Sequence, residues 1–220
     1  MKLIEVRIRR KHLAALVLEP SPDRTEIPFE VDSVGYPVLD VGLVAEQNLL
    51  GGQELSTEQF RALVKESALR RAKSRALWYL SRGDLSKKEL IKKLSRVFPK
   101  EAAETAAGQM EEYGYLNDER YAAHLAERLL TERRVAPRVA KQLMAQKGVD
   151  RETATRALET VECDTVAVIG ELIEKKYKNK LTPPDDLRRT VQGLARRGFS
   201  YSDIRAALAR YQQDFDYIED

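Results

Sequence analysis

Apolar positions in the first third of the chain recur in twos. Within Leu3–Arg9, Ile4, Val6 and Ile8 share one face, and Glu5, Arg7 and Arg9 share the other. That is the period of a half-buried strand. His12–Glu19 is a second run of similar length, which places His12 in a strand. Pro20 and Pro22 interrupt the chain, and Ile27, Phe29 and Val31 then alternate again. Pro28 lacks an N–H, so this third strand is expected at a sheet edge. Three short strands bury little surface alone. Pro37–Leu50 is predicted as the helix that covers them, with Pro37 at its first position and Gly51–Gly52 at its end.

After Gly52 the period changes to steps of three and four. Ser56 and Gln59 form a capping-box signature. Phe60, Leu63, Val64, Ala68, Leu69, Ala72, Ala76, Leu77 and Leu80 follow at helical spacing. They predict one long helix, or two nearly continuous ones, ending at Gly83. Ser86 starts the next helix, with Glu89 three residues on. Pro99 suits the first turn of another, which ends in Glu112–Leu116. Asn117 or Asp118 caps a further helix, and Pro137 opens one that stops at Gly148. Asp150 caps the next, and Cys163–Lys178 is another. Lys178–Asp186 is predicted as a loop. Asp185 or Asp186 caps a helix ended by Gly198, and Ser200 caps the last.

One phrase recurs. Apolar residues separated by five, five and four positions occur as Leu80, Leu85, Leu90 and Leu94. The same steps give Leu130, Val135, Ala140 and Met144, and then Leu194, Phe199, Ile204 and Leu208. The cap position recurs with them as Ser86, Ala136 and Ser200. A step of five across a turn brings two helices back together, and a step of four keeps one face inward. The chain is therefore expected to be mainly α: tandem degenerate helical hairpins or three-helix repeats in an elongated array, after a small β-rich module. The expected divisions are 1–55, a β-rich module with one helix, and helical units at 56–116, 117–162 and 163–220.

Charge sharpens this picture. The 220 residues carry a net +3, distributed unevenly. Met1–Glu66 holds 8 Lys and Arg against 11 Asp and Glu, a net −3, and Pro99–Thr165 is also −3, with 10 against 13. Val166–Asp220 is +1, with 10 against 9. Ser67–Phe98 holds 10 against 2, a net +8 within one hairpin. Such a concentration is an electrostatic footprint for an anionic partner. No apolar run approaches the roughly 20 residues of a membrane span. The opening Met1–Arg10 lacks the unbroken apolar core of a signal peptide. Cys163 is the only cysteine, so no intrachain disulfide can form. It is read as a small buried hydrophobe in a reducing cytoplasm.

At these residues the chain resembles the RecX family, bacterial regulators of the RecA recombinase. The resemblance rests on Ala76–Leu94 ("ALWYLSRGDLSKKELIKKL"), Glu111–Leu129 ("EEYGYLNDERYAAHLAERL"), Ala140–Val149 ("AKQLMAQKGV") and Leu194–Ile204 ("LARRGFSYSDI"), in that order. It covers roughly Ala68 onward. One departure is Ala136, where the family usually has Gly before the Pro. The β-rich start resembles an extension found in some members only. The resemblance implies tandem three-helix units and a protein lodged in the groove of the RecA–DNA filament, inhibiting strand exchange and ATP hydrolysis. It also implies that some members bind DNA directly.

Catalytic signatures are missing from the sequence. His12 and His124 have no Cys or second His at ligand spacing, and Gly51–Gly52 lacks the Lys and Ser/Thr of a phosphate loop. The chain is read as a non-enzyme without cofactor or metal. The candidate contact residues are Arg70, Arg71, Lys73, Arg75, Lys87, Lys88, Lys92, Lys93 and Arg96, with Arg196 and Arg197 in the last turn of a later helix. Carboxylates to pair with the first group are scarce nearby: Asp84 and Glu89 only. Tyr113, Tyr115 and Leu116 are expected to fill the joint between the first two units, and Trp78, flanked by Leu77 and Leu80, to be core.

The expected partners are the RecA nucleoprotein filament and, weakly and without sequence preference, DNA. The protein is expected to act as a cytoplasmic monomer. The alternative is a sequence-tolerant DNA-binding protein or transcription regulator built from helix-turn-helix-like units. The second helices of the three hairpins begin Lys-Lys-Glu, Pro-Arg-Val and Tyr-Ser-Asp. They share no set of base-reading side chains.

Overall fold

The computed structural model of the chain describes residues 1–9, 12–177, 181 and 184–211. It opens with an antiparallel sheet of β1 (Lys2–Ile8), β2 (Leu13–Glu19) and β3 (Val38–Asp40), in that spatial order. A bulge breaks the β1 register: Leu3 pairs with Leu18 but Glu5 with Val17. The extra residue reverses the inward parity of the strand. Leu3 and Val6 both reach the core, whereas Ile4 is 45% and Ile8 67% exposed. Of the predicted inward trio, only Val6 points in. His12 lies just outside β2, exposed, with φ of +61°.

The third strand also differs from expectation. Ile27 and Phe29 are buried and Val31 packs beside them, as apolarity requires. Their backbone is irregular, with a single bridge from Val31 to Pro37. The strand is Val38–Asp40, within the segment read as helix. The helix shrinks to α1 (Val41–Glu46), started by Asp40, whose carboxylate accepts from the Leu43 N–H at 3.0 Å. It ends at Gln47, before Gly51–Gly52. Those glycines serve β1 instead: the Gly52 N–H donates to the Leu3 carbonyl at 2.7 Å, and the Leu3 N–H to Gln53 at 2.8 Å. The outer edge of the sheet is thereby occupied.

Helices make up the rest: α2 (Thr57–Leu80), α3 (Lys87–Leu94), α4 (Lys100–Glu112), α5 (Asp118–Glu127), α6 (Pro137–Gln146), α7 (Arg151–Glu159), α8 (Thr165–Leu172), α9 (Pro184–Arg196) and α10 (Tyr201–Ala209). The choice between one long helix and two resolves to one, the 24 residues of α2. Ser56 and Gln59 close a reciprocal capping box at its start. Ser86, Asn117, Asp150 and Ser200 accept from first-turn N–H groups as the caps of α3, α5, α7 and α10. Pro99 stands just ahead of α4. Asp185 and Asp186 lie in the first turn of α9, which already begins at Pro184. The helix predicted over Cys163–Lys178 starts after Asp164, whose side chain caps it. Lys178 and most of the predicted Lys178–Asp186 loop lie outside the described residues. Two helices end in a wider turn that periodicity does not reveal: α5 at Arg128–Glu132 and α8 at Ile173–Tyr177.

The chain divides into two compact units, Met1–Leu116 and Asn117–Asp220. In the first, the sheet and α1 pack on the start of α2, where Phe29 meets Phe60 edge-on at 5.5 Å. The rest of α2 packs with α3 and α4 through Ala72, Ala76, Leu90, Leu94 and a row of α4 alanines. In the second, α5–α7 and α8–α10 each surround a core of their own. All twelve positions of the recurring phrase are buried or half-buried in these cores. Ala136 needs no glycine: its φ is −65°, its N–H donates to Arg197 at 3.0 Å, and its methyl group joins the α8–α10 core. Leu116 is buried in the α2–α4 core, whereas Tyr113 and Tyr115 are 61% and 57% exposed.

Candidate functional site

The α2 helix turns its small residues inward. Ser67, Ala72 and Ala76 are buried, and the cations between them are therefore carried around the sides of the helix. Arg70 bonds Glu46 at 2.6 Å and Glu66 at 2.8 Å. These hydrogen bonds raise the pKa of the guanidinium further and hold Glu46 below the usual carboxylate range. Arg71 bonds Glu30 at 2.7 Å and lies over the Phe98 ring. Lys87 bonds Glu111 at 2.6 Å. The scarcity of acids read from the local sequence is thus corrected. Glu30 and Glu46 come from the N-terminal module and Glu111 from α4, all distant along the chain.

The other cations of the hairpin behave differently. Among the described residues, no carboxylate lies within ion-pair distance of Lys73, Arg75, Lys88, Lys92, Lys93 or Arg96. Lys88, Lys92 and Arg96 are exposed, as the inward positions of Leu90 and Leu94 require. Arg75 and Lys93 rest on aromatic rings. The Arg75 guanidinium is 5.2 Å from the Trp78 centroid, that of Arg82 is 4.1 Å from the same ring, and the Lys93 ammonium is 5.2 Å from Tyr79. Trp78 and Tyr79 meet edge-to-face at 5.2 Å. These contacts join the end of α2 to α3 in one basic, aromatic surface.

Trp78 is not core: it is 42% exposed, as is Leu77. At about 100° per residue, the inward stripe through Ala72 and Ala76 continues to Tyr79 and Leu80. Trp78, two residues past Ala76, is turned to the far side. Arg82, Trp78 and Tyr79 join this surface, although none of them is among the contact residues expected from the sequence, where Trp78 is expected to be core. A signal was present, because Arg75, Trp78 and Arg82 are spaced by three and four and so share a helix face.

Arg196 and Arg197 belong to the second unit. Arg196 is exposed at the end of α9. Arg197 is half-buried and its Nη1 donates to the Arg133 carbonyl at 2.7 Å, so it is engaged within the protein. Arg134 beside it bonds Glu171 at 2.8 Å. These contacts tie the start of the second hairpin to the α8–α10 core.

Other chemistry is sparse. Burial pushes the thiol of half-buried Cys163 up. Among the described residues, no group of three His, Cys, Asp or Glu is placed to hold a metal. None of the described helices is long and apolar enough to cross a membrane. A groove of about 590 Å³, lined by residues between Leu43 and Glu66, is open to solvent.

Comparison with known proteins assigns the helical part. Residues 117–158 match the family model of the second three-helix domain of RecX, and residues 162–208 that of the third. The chain is 31% identical over 160 residues to the regulatory protein RecX of Caldanaerobacter subterraneus subsp. tengcongensis, covering 71% of this chain and 79% of that protein. It is 33% identical over 144 residues to RecX of Stenotrophomonas maltophilia strain R551-3, covering 64% and 86%. A crystal structure of regulatory protein RecX superposes with a TM-score of 0.63 at 21% identity, over 94% of this chain and 98% of that one.

Proposed function

The chain belongs to the RecX family, and from that premise we propose that it regulates a RecA recombinase without being an enzyme. In this reading it binds the RecA–DNA filament through the α2–α3 face and inhibits strand exchange and ATP hydrolysis. It acts as a cytoplasmic monomer, with modules at 1–55, 56–116, 117–162 and 163–220.

The observation that supports this reading is the set of exposed, carboxylate-free cations Lys88 and Lys92 on α3 and Arg96 in the turn after it, beside Arg75 and Lys93 on rings. Cations without an internal partner keep their full attraction for an anionic surface. A filament of protein wrapped on DNA offers phosphates and acidic side chains together.

The test is DNA-dependent ATP hydrolysis by the RecA of the same organism, titrated with this protein. The expected result is a saturable fall in rate, accompanied by slower strand exchange. Unchanged hydrolysis and strand exchange at a stoichiometric excess would leave the sequence-tolerant DNA-binding alternative in its place.

A further inference from the structure

A tryptophan left 42% exposed and bracketed by two arginines is unusual placement for the largest side chain in the protein. Full burial of a large apolar side chain stabilises a fold by about 1.5–3 kcal/mol. Here much of that gain is forgone, although Ala76 two residues earlier is fully buried. Around the ring lie Arg75 and Arg82 on α2 and its C-terminal turn, Tyr79 edge-on, and Lys93 of α3 beyond Tyr79. These three cations are held by π faces instead of carboxylates, so the surface keeps its positive charge.

We infer that this cluster is a binding site for single-stranded nucleic acid, in which a base stacks on the Trp78–guanidinium surface and the flanking phosphates meet Arg75, Arg82 and Lys93. The ligand class follows from the combination. Phosphates would satisfy the cations, and only a flat π system would cover an exposed indole and the guanidinium groups that lie over it. An acidic protein surface would satisfy the cations and leave the indole uncovered. A duplex hides its base faces in its own stack, so the site favours single strands. Every base has a π face, so it favours no sequence. The inference rests on reading the α2–α3 cations as a contact face, but not on the recombinase as partner.

Trp78 is the only tryptophan of the chain, so its fluorescence reports on this site alone. The full-length protein is titrated with oligodeoxythymidylate, with an abasic strand of equal length and with a duplex of equal length. Labelled-strand anisotropy is recorded in parallel. Oligodeoxythymidylate is expected to quench Trp78 saturably, and the abasic strand and duplex to quench little. Trp78→Ala is expected to weaken oligodeoxythymidylate binding by about 5- to 150-fold, and Trp78→Phe by less.

Oligodeoxythymidylate binding with unchanged emission overturns the proposal, as does equal quenching by the abasic strand. Retained oligonucleotide affinity in Trp78→Ala with lost recombinase binding overturns it in favour of a protein partner. Should Trp78→Ala fail to fold by circular dichroism, the quenching of the unsubstituted protein still decides. The two readings fail separately. Saturable quenching without any effect on recombinase ATP hydrolysis removes the recombinase reading and keeps this site; inhibition without quenching does the reverse.

Discussion

Gly198, at the end of α9, lies directly against Val139 of α6: a Cβ built on Gly198 would overlap Val139 Cγ2. Its φ is +90°, so the position also demands a left-handed backbone. Gly198→Ala meets a steric and a conformational cost together, each about 1–3 kcal/mol. Gly114 has a φ of +76° but nothing within 4 Å of its Cβ position, so Gly114→Ala meets only the second. Denaturant unfolding is expected to show the larger loss at Gly198. Equal losses would mean that the α6–α9 contact contributes nothing.

Charge reversal should separate the α3 face from charge in general. Lys88→Glu with Lys92→Glu is expected to weaken inhibition of the recombinase, and to do so less as salt rises and screens the face. Surface substitutions of this kind usually shift stability by no more than about 0.5 kcal/mol. Arg138→Glu with Arg151→Glu, on exposed positions of α6 and α7, is the control and should have a smaller effect. ATP hydrolysis assays at two salt concentrations check both pairs. Equal loss from the two pairs would show that net charge alone drives binding.

Glu30 and Glu46 neutralise Arg71 and Arg70 from outside the hairpin. Glu30→Gln frees Arg71 of its carboxylate and Glu46→Gln leaves Arg70 with Glu66 alone, and oligonucleotide affinity, read by anisotropy, is expected to rise with a steeper salt dependence. A fall in affinity in a folded double variant would count against this masking. The pH behaviour follows from the sign of the Glu46 shift. Its pKa in the folded protein is lowered by the Arg70 hydrogen bond, so the contribution of the pair is present above the unfolded value of about 4.3. It is lost only as pH falls through the lower folded value. Between pH 6 and 8, on the order of two units above that range, the masking by Glu46 should not vary.

The β1 bulge makes a register prediction. Leu3→Ala removes a fully buried side chain and should cost about 2–5 kcal/mol. Ile4→Ala, at a position 45% exposed, should cost under about 1 kcal/mol. A straight strand with Ile4 inward would reverse the order, and thermal unfolding of the two variants distinguishes the cases.

Ser86 is the buried cap of α3, and the corresponding position of the second hairpin is Ala136. Ser86→Ala deletes the bond to the Glu89 N–H and should destabilise by about 1 kcal/mol. Ala136→Ser should not stabilise by the same amount, because its methyl group packs in the α8–α10 core. A matched gain at Ala136 would show that capping outweighs that packing.

The amino-acid order by itself determined the helices from Thr57 onward, their caps, and the inward positions of the recurring phrase. These depend on neighbours three to five residues apart, so local chemistry is enough: Ser86, Asn117, Asp150 and Ser200 bond within their own first turns. The concentration of cations in Ser67–Phe98 was legible for the same reason. Tertiary structure alone decided the rest. The three-residue strand Val38–Asp40 exists because β2 pairs with it, and Ile27 and Phe29 are buried without a ladder of their own. The parity of β1 turns on a bulge that alternation cannot announce. At the site, counting acids along the chain could not find Glu30 or Glu46, which reach α2 only once the sheet has folded onto it. The exposure of Trp78 depends on which side of α2 the α3 and α4 helices cover, and that is a property of three packed helices, not of the residues beside the indole.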